Sequence, residues 1–168
     1  GNDFIIFDRR NKSISLTKDQ IIKISARDNI GCDQVIFISP DKKSDAYLTF
    51  YNSNGEEAEM CGNAARCVAS LIIAENNKKI IKIETISVTL IGKLEKDNEI
   101  SISLNIPEQK LDKIIDRKHV KENKVNLGFV SSLLKEGIIV NMGNPHVVFF
   151  TEDLNNIDLE KFGPAIEK

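Results

Sequence analysis

Residues 60–75 read MCGNAARCVASLIIAE, and the architecture of the chain hangs on them. From Ala64 to Glu75, the side chains of Ala65, Val68, Ala69, Leu71, Ile72, Ile73 and Ala74 cover most of a helix's circumference. That pattern predicts a buried central helix rather than a surface one. Asn76-Asn77 marks its end.

Upstream, Phe4 to Phe7 is a short β-prone run closed by the polar stretch Asp8 to Ser13. Thr17 and Gln20 make a capping-box pattern, which predicts a helix from about Lys18 to Arg27. Gly31 breaks the chain, Gln34 to Ser39 and Tyr47 to Tyr51 read as strands, and Asn54-Gly55 is a turn signal. Downstream the period changes to two. Ile81, Ile83 and Thr85 alternate with charged residues, and Ile100, Ile102, Leu104 and Ile106 share one face of a strand from Glu99 to Ile106. Asp97-Asn98 links that strand to the preceding one as a hairpin. Pro107 and the charged residues up to Lys124 suggest a boundary between domains 1–107 and 108–168. Gly137 to Val140 and His146 to Phe150 read as strands flanking the turn Met142-Gly143-Asn144-Pro145. The expected fold is α+β, a mostly antiparallel sheet around one buried helix.

Hydrophobic residues are 41% of the chain, charged residues 29%, and the net charge is −2. This is a globular composition with no electrostatic draw toward nucleic acid or an anionic membrane. No apolar run approaches the length of a membrane helix. The three cysteines, Cys32, Cys61 and Cys67, are few and odd in number, which points to free thiols in a reducing compartment and a cytoplasmic protein. The chain opens at Gly1-Asn2-Asp3-Phe4 without Met and stops at Lys168 with no obvious closing element, so it is expected to be a piece of a longer protein.

Cys61 stands just ahead of the predicted helix, with Gly62 and Asn63 at its entrance. N–H groups in a helix's first turn lack intrahelical partners, and the helix dipole adds partial positive charge. Negative charge on a thiol is favoured there. The same N–H groups can hold a carboxylate, or the charge that develops on it when a neighbouring carbon loses its proton. Gly62 leaves room for a ligand to approach the backbone. On spacing alone a cysteine is as readily a small packed hydrophobe. Cys67, six residues on, faces a different side of the helix, and both Cys67 and Cys32 are expected to be core residues.

MCGNAARC resembles the signature around the first catalytic cysteine of the diaminopimelate epimerase family. Four further segments are similar to that family in the same order: Gly1 to Phe4, Ile30 to Gln34, Phe50 to Gly55, and Met142 to His146. The resemblance implies two similar halves, each a sheet curled around a central helix, with the active site between them. This chain would hold one complete half and part of the second. It also implies epimerisation of L,L-diaminopimelate to meso-diaminopimelate in lysine and peptidoglycan biosynthesis, by two cysteines and with no pyridoxal phosphate or metal. Carried over, Cys61 is one acid/base, and Gly62 and Asn63 bind the reacting carboxylate and amine end. Asn2, Gln34, Asn52 and Asn144 fix the substrate, and His146 tunes the cysteine pair. A turn histidine bonded to nearby backbone is an equally ready reading of His146.

Two departures stand out. The family usually has Gly where this chain has Ala64, a position expected near substrate. The second half's Glu-Arg pair and second Cys-Gly motif are absent before Lys168, so the chain alone is expected to be inactive. A proline racemase-like enzyme would have His in place of Asn63, and a phenazine-biosynthesis-type isomerase would lack Cys61. A non-catalytic ligand-binding module of the same fold is the remaining rival. The expected partner is a small molecule, with neither nucleic acid nor membrane, and a homodimer is a candidate assembly.

Overall fold

A computed structural model describes residues 1–104, 120–121, 123–128, 130–141 and 145–167. Contacts group them into two compact units, Gly1–Asn105 and Ile106–Lys168.

The first unit contains β1 (Phe4–Asp8), α1 (Lys18–Ser25), β2 (Gln34–Ser39), β3 (Ala46–Asn52), β4 (Glu57–Ala58), α2 (Gly62–Asn76), β5 (Ile80–Glu84), β6 (Thr89–Leu94) and β7 (Ile100–Ser103). The capping box at α1 forms as its residues dictate. The Thr17 side chain accepts from the Gln20 N–H at 3.3 Å, and the Gln20 side chain accepts from the Thr17 N–H at 2.8 Å. The helix stops at Ser25, short of the expected Arg27, because Ala26 adopts extended backbone.

The strands form one sheet in the order β1-β2-β3-β5-β6-β7, with β4 on the far edge of β3. The pairings β1–β2 and β3–β5 are parallel, each joined by a crossover containing a helix, as parallel neighbours require. The other four are antiparallel. β4 pairs with Phe50 and Tyr51 at one end of β3, and β5 pairs with Ala46 and Tyr47 at the other. The Asp97-Asn98 turn joins β6 and β7 as expected, with Asn98 in the left-handed region at φ 59.

Period-two alternation divides the core. On β2, Ile36 and Ile38 join the cluster containing Ala64, Val68 and Ile72 of α2, while Val35 and Phe37 face Ile21 of α1. The two helices therefore cover opposite faces of the sheet around β2. The expectation of an all-round buried α2 is corrected here. Ala64, Ala65, Val68, Ala69, Ile72 and Ile73 are buried, but Cys67 is exposed and Leu71 is 48% exposed. The buried residues occupy one side of the helix, and Cys67 projects from the other. Cys67 is thus a surface residue, not core packing. Cys32 is buried as expected.

The second unit has β8 (Val120–Lys121), β9 (Lys124–Val125), β10 (Gly137–Asn141), β11 (Pro145–Phe149) and α3 (Leu159–Glu167). The strands pair antiparallel in the order β11-β10-β9-β8. Val125, Leu127 and Ile139 make its small core, and Ile166 of α3 packs on it. This helix is one of the elements that sequence reading missed. Pro164 lies inside it, which argues against a helix, yet the Asp158 side chain accepts from the Lys161 N–H at 3.0 Å and caps its start. Among the described residues, no helix is long and apolar enough to cross a membrane.

Candidate active site

The loop entering α2 is pinned on both sides. Met60 is buried in the core, and the Ser87 hydroxyl donates to the Glu59 carbonyl at 3.2 Å. Between these anchors and the helix sits Cys61, half-buried against the core. It is the N-cap of α2, with φ −138 and ψ 108, and its side chain makes no capping hydrogen bond. The Ala65 N–H donates to the Cys61 carbonyl at 2.9 Å and opens the helical ladder. The N–H groups ahead of that bond lie at the positive end of the helix dipole.

Gly62 is not required by the fold. A methyl group added there would meet Leu104, just beyond β7, at 3.6 Å, an ordinary contact. Ala64 is fully buried in the α2 cluster, so its methyl group faces the core. The departure from the family's usual Gly thus falls inside the packing.

Asn63 and Asn2 meet although most of the first unit separates them in sequence. The Asn63 Nδ2 donates to Asn2 Oδ1 at 2.7 Å, and the Asn2 Nδ2 donates to Asp33 Oδ2 at 2.9 Å. Register explains the second bond. Phe4 is opposite Gln34 in the parallel β1–β2 pair, so Asp3 falls beside Asp33. The Asp33 N–H donates to Asp3 Oδ1 at 2.9 Å. Two adjacent carboxylates need a cation, and Arg27 bridges them, donating to Asp3 at 2.5 and 3.0 Å and also to Asp33. The Arg27 hydrogen bonds hold the Asp3 carboxyl below the ordinary aspartate range. Asp3, in turn, raises the basicity of Arg27.

Gln34 and Asn52 are cross-strand partners on β2 and β3, and the Gln34 Nε2 donates to Asn52 Oδ1 at 2.9 Å. The other end of the Gln34 amide, Oε1, is buried and has no hydrogen-bond partner among the described residues. Asn52 is held by the turn that follows it. Its N–H donates to the Glu56 carbonyl, and the Gly55 N–H donates to the Asn52 carbonyl, each at 2.8 Å. Gly55 has φ +75, and a Cβ there would come within 2.6 Å of the Lys18 side chain, so both backbone and space require glycine.

Of the residues singled out from sequence, Cys61, Gly62 and Asn63 form the head of α2, Asn2 joins them through Asn63, and Gln34 pairs with Asn52. His146 belongs to the second unit, exposed on β11 opposite Val140. Asn144 lies outside the described residues. Sequence reading gave no role to Asp3, Arg27 or Asp33. Asp33 sits inside the segment Ile30 to Gln34 that drew attention, but its partners lie on other elements.

The fold defined by these elements, a mixed α+β arrangement with a largely sheet core, is shared with proteins of distant sequence. A phenazine biosynthesis protein of the PhzF family from Bacillus anthracis superposes with a TM-score of 0.57 at 18% identity, over 92% of this chain and 52% of that one. One from Enterococcus faecalis gives 0.53 at 14% identity, over 90% and 52%. In sequence, the profile of diaminopimelate epimerase matches residues 1–111. The diaminopimelate epimerase of Pelagibacter ubique is 41% identical over 99% of this chain, and that of a Wolbachia from Drosophila simulans is 35% identical over 99%. The chain therefore belongs to the diaminopimelate epimerase family. It spans 62% of the length of each of these two relatives.

Proposed function

We propose that the intact protein containing this chain interconverts L,L- and meso-diaminopimelate in lysine and peptidoglycan biosynthesis, using two cysteines and neither pyridoxal phosphate nor metal. The observation that carries this reading is Cys61 at the N-cap of α2, its side chain uncommitted to capping. A base and a set of first-turn N–H donors thus stand side by side.

In this mechanism the Cys61 thiolate takes the α-proton from one face of the substrate. The electron pair left behind spreads into the carboxylate, where the N–H groups of Gly62 and Asn63 meet the added charge. A second cysteine thiol, from outside this chain, gives a proton to the opposite face and becomes the thiolate. The two sulfurs exchange roles, and atoms and charge balance. Asn2, Gln34, Asn52, Asn63 and Asn144 fix the substrate, and His146 tunes the cysteine pair. The buried Gln34 Oε1 supports the polar part of the reading. An unsatisfied buried acceptor costs about 1–3 kcal/mol, and an ammonium donor on the substrate would satisfy it.

The whole protein in this reading has two similar halves, each a sheet curled around a helix. Residues 1–107 form the first half and 108–168 begin the second. It works in the cytoplasm on a small molecule, with a homodimer as a candidate assembly.

The test is isomer interconversion and α-deuterium uptake in D2O. The intact protein should show both, and Cys61→Ala should lower kcat by at least about 100-fold. The 168-residue chain should show neither. Turnover by the chain alone at the intact protein's rate, or undiminished kcat in Cys61→Ala, would falsify the reading.

A further inference from the structure

The side-chain amides of Asn2 and Asn63 can each face two ways, because turning an amide over exchanges donor and acceptor with almost no change of shape. Their direction decides what the head of α2 offers a ligand. A carboxylate, by contrast, only accepts. Asp33 Oδ2 accepts from the Asn2 Nδ2, so Asn2 must turn its Oδ1 the other way. There it accepts from the Asn63 Nδ2, which leaves the Asn63 Oδ1 outside the chain of bonds.

We propose that Asp33 is a positioning residue whose carboxylate fixes both amides, so that Asn63 presents its carbonyl oxygen to an ammonium group of the substrate. The inference rests on the reading above, in which Asn63 binds the substrate's amine end.

Asp33 is equipped to hold a direction. Arg27 engages its Oδ1, while Oδ2 accepts from both the Asn2 side chain and the Asp3 N–H, the latter at 3.3 Å. Both oxygens are thereby engaged. The cluster is not a source of stability. The Arg27, Asp3 and Asp33 side chains are 61%, 53% and 35% exposed, and ion pairs this open to water contribute little. Their geometry is better accounted for by the amides they orient.

Asp33→Asn in the intact protein keeps the shape but can donate as well as accept, so the direction of Asn2 is no longer imposed. Two measurements follow. In steady-state kinetics, KM for diaminopimelate should rise about tenfold, while kcat changes less than about threefold, as expected for loss of an interaction made equally in ground and transition states. In 15N-resolved NMR without substrate, the side-chain NH2 signals of Asn2 and Asn63 should move or broaden, while backbone signals of α2 stay in place. A KM rise together with altered amide signals supports the proposal. Unchanged kinetics in an active enzyme overturn it and leave the epimerase reading intact. A fall in kcat with unchanged KM overturns it in favour of a merely structural role. If the wild-type protein does not turn over diaminopimelate, the epimerase reading fails. The amide signals then decide separately, and signals unchanged by the substitution overturn the positioning role.

Discussion

Three thiols in this chain occupy three environments: Cys32 is buried, Cys61 is half-buried at a helix head, and Cys67 is exposed further along the same helix. Of the three, only Cys61 stands at the head of a helix, beside first-turn N–H groups, and in the proposed mechanism Gly62 lets the substrate carboxylate reach them. Because the fold accepts a methyl group at Gly62, Gly62→Ala separates stability from function. Alanine at a position whose backbone it can adopt stabilises by about 0.4–1 kcal/mol through the unfolded state, so Tm should hold or rise. If the proposed mechanism holds, activity of the intact protein should fall at least about tenfold, since that mechanism brings the substrate carboxylate to the Gly62 backbone. A variant that melts early, or that keeps full activity, would show that the glycine serves something else. At this scale the motif around Cys61 was legible in sequence. The Asn63–Asn2–Asp33 chain was not, because its members come from three elements and meet only through the β1–β2 register.

At the scale of elements, α2 lies tight against the sheet where it crosses β6. A Cβ on Gly92 would come within 2.8 Å of the Ala69 Cβ and 3.1 Å of Ile81 Cγ1. Neither neighbour is the free end of a flexible chain, so Gly92→Ala must push α2 off the sheet or distort β6. Overpacking of this kind costs about 1–3 kcal/mol, to be read as a lower urea midpoint with unchanged slope. An unaltered midpoint would mean that the helix sits less tightly than the contacts indicate. Elements with local signals were read correctly: the Thr17–Gln20 capping box, the Asn54-Gly55 turn and the Asp97-Asn98 hairpin. The missed elements had signals that conflict or are too short. β4 spans two residues, and α3 carries an internal proline. The exposure of Cys67 was misjudged for a different reason. Apolar residues around a helix do not say which side meets a sheet.

At the scale of the whole molecule, charge ties together the elements of the first unit. Asp8 and Glu75 share Arg10, which links the end of β1 to the end of α2. Asp45 receives the Lys82 N–H at 2.8 Å and pairs with Lys78. Arg10 hydrogen bonding holds Asp8 below the usual carboxylate range. Burial pushes Asp45 up, but Lys78 and the Lys82 N–H together outweigh it and leave it lowered. Glu84 and Glu95 are lowered by neighbouring lysines. A carboxylate whose folded pKa is depressed contributes stability above its unfolded pKa, and that contribution is lost as pH falls through the folded value. Denaturant unfolding should therefore give a stability that is flat in these groups from about pH 6 to 8 and falls below about pH 4. Constant stability down to about pH 2.5 would show that these pairs do not persist in solution. What the sequence determined by itself is whatever depends on neighbours along the chain: caps, turns, strand alternation, and the cysteine at a helix entrance. What only the tertiary structure decided is which side of α2 is buried, that Gly62 is free of packing demands, and that Asp33 lies beside Asn2. Those outcomes depend on strand register and on which faces meet, and residues distant in the chain acquire them only when the sheet assembles.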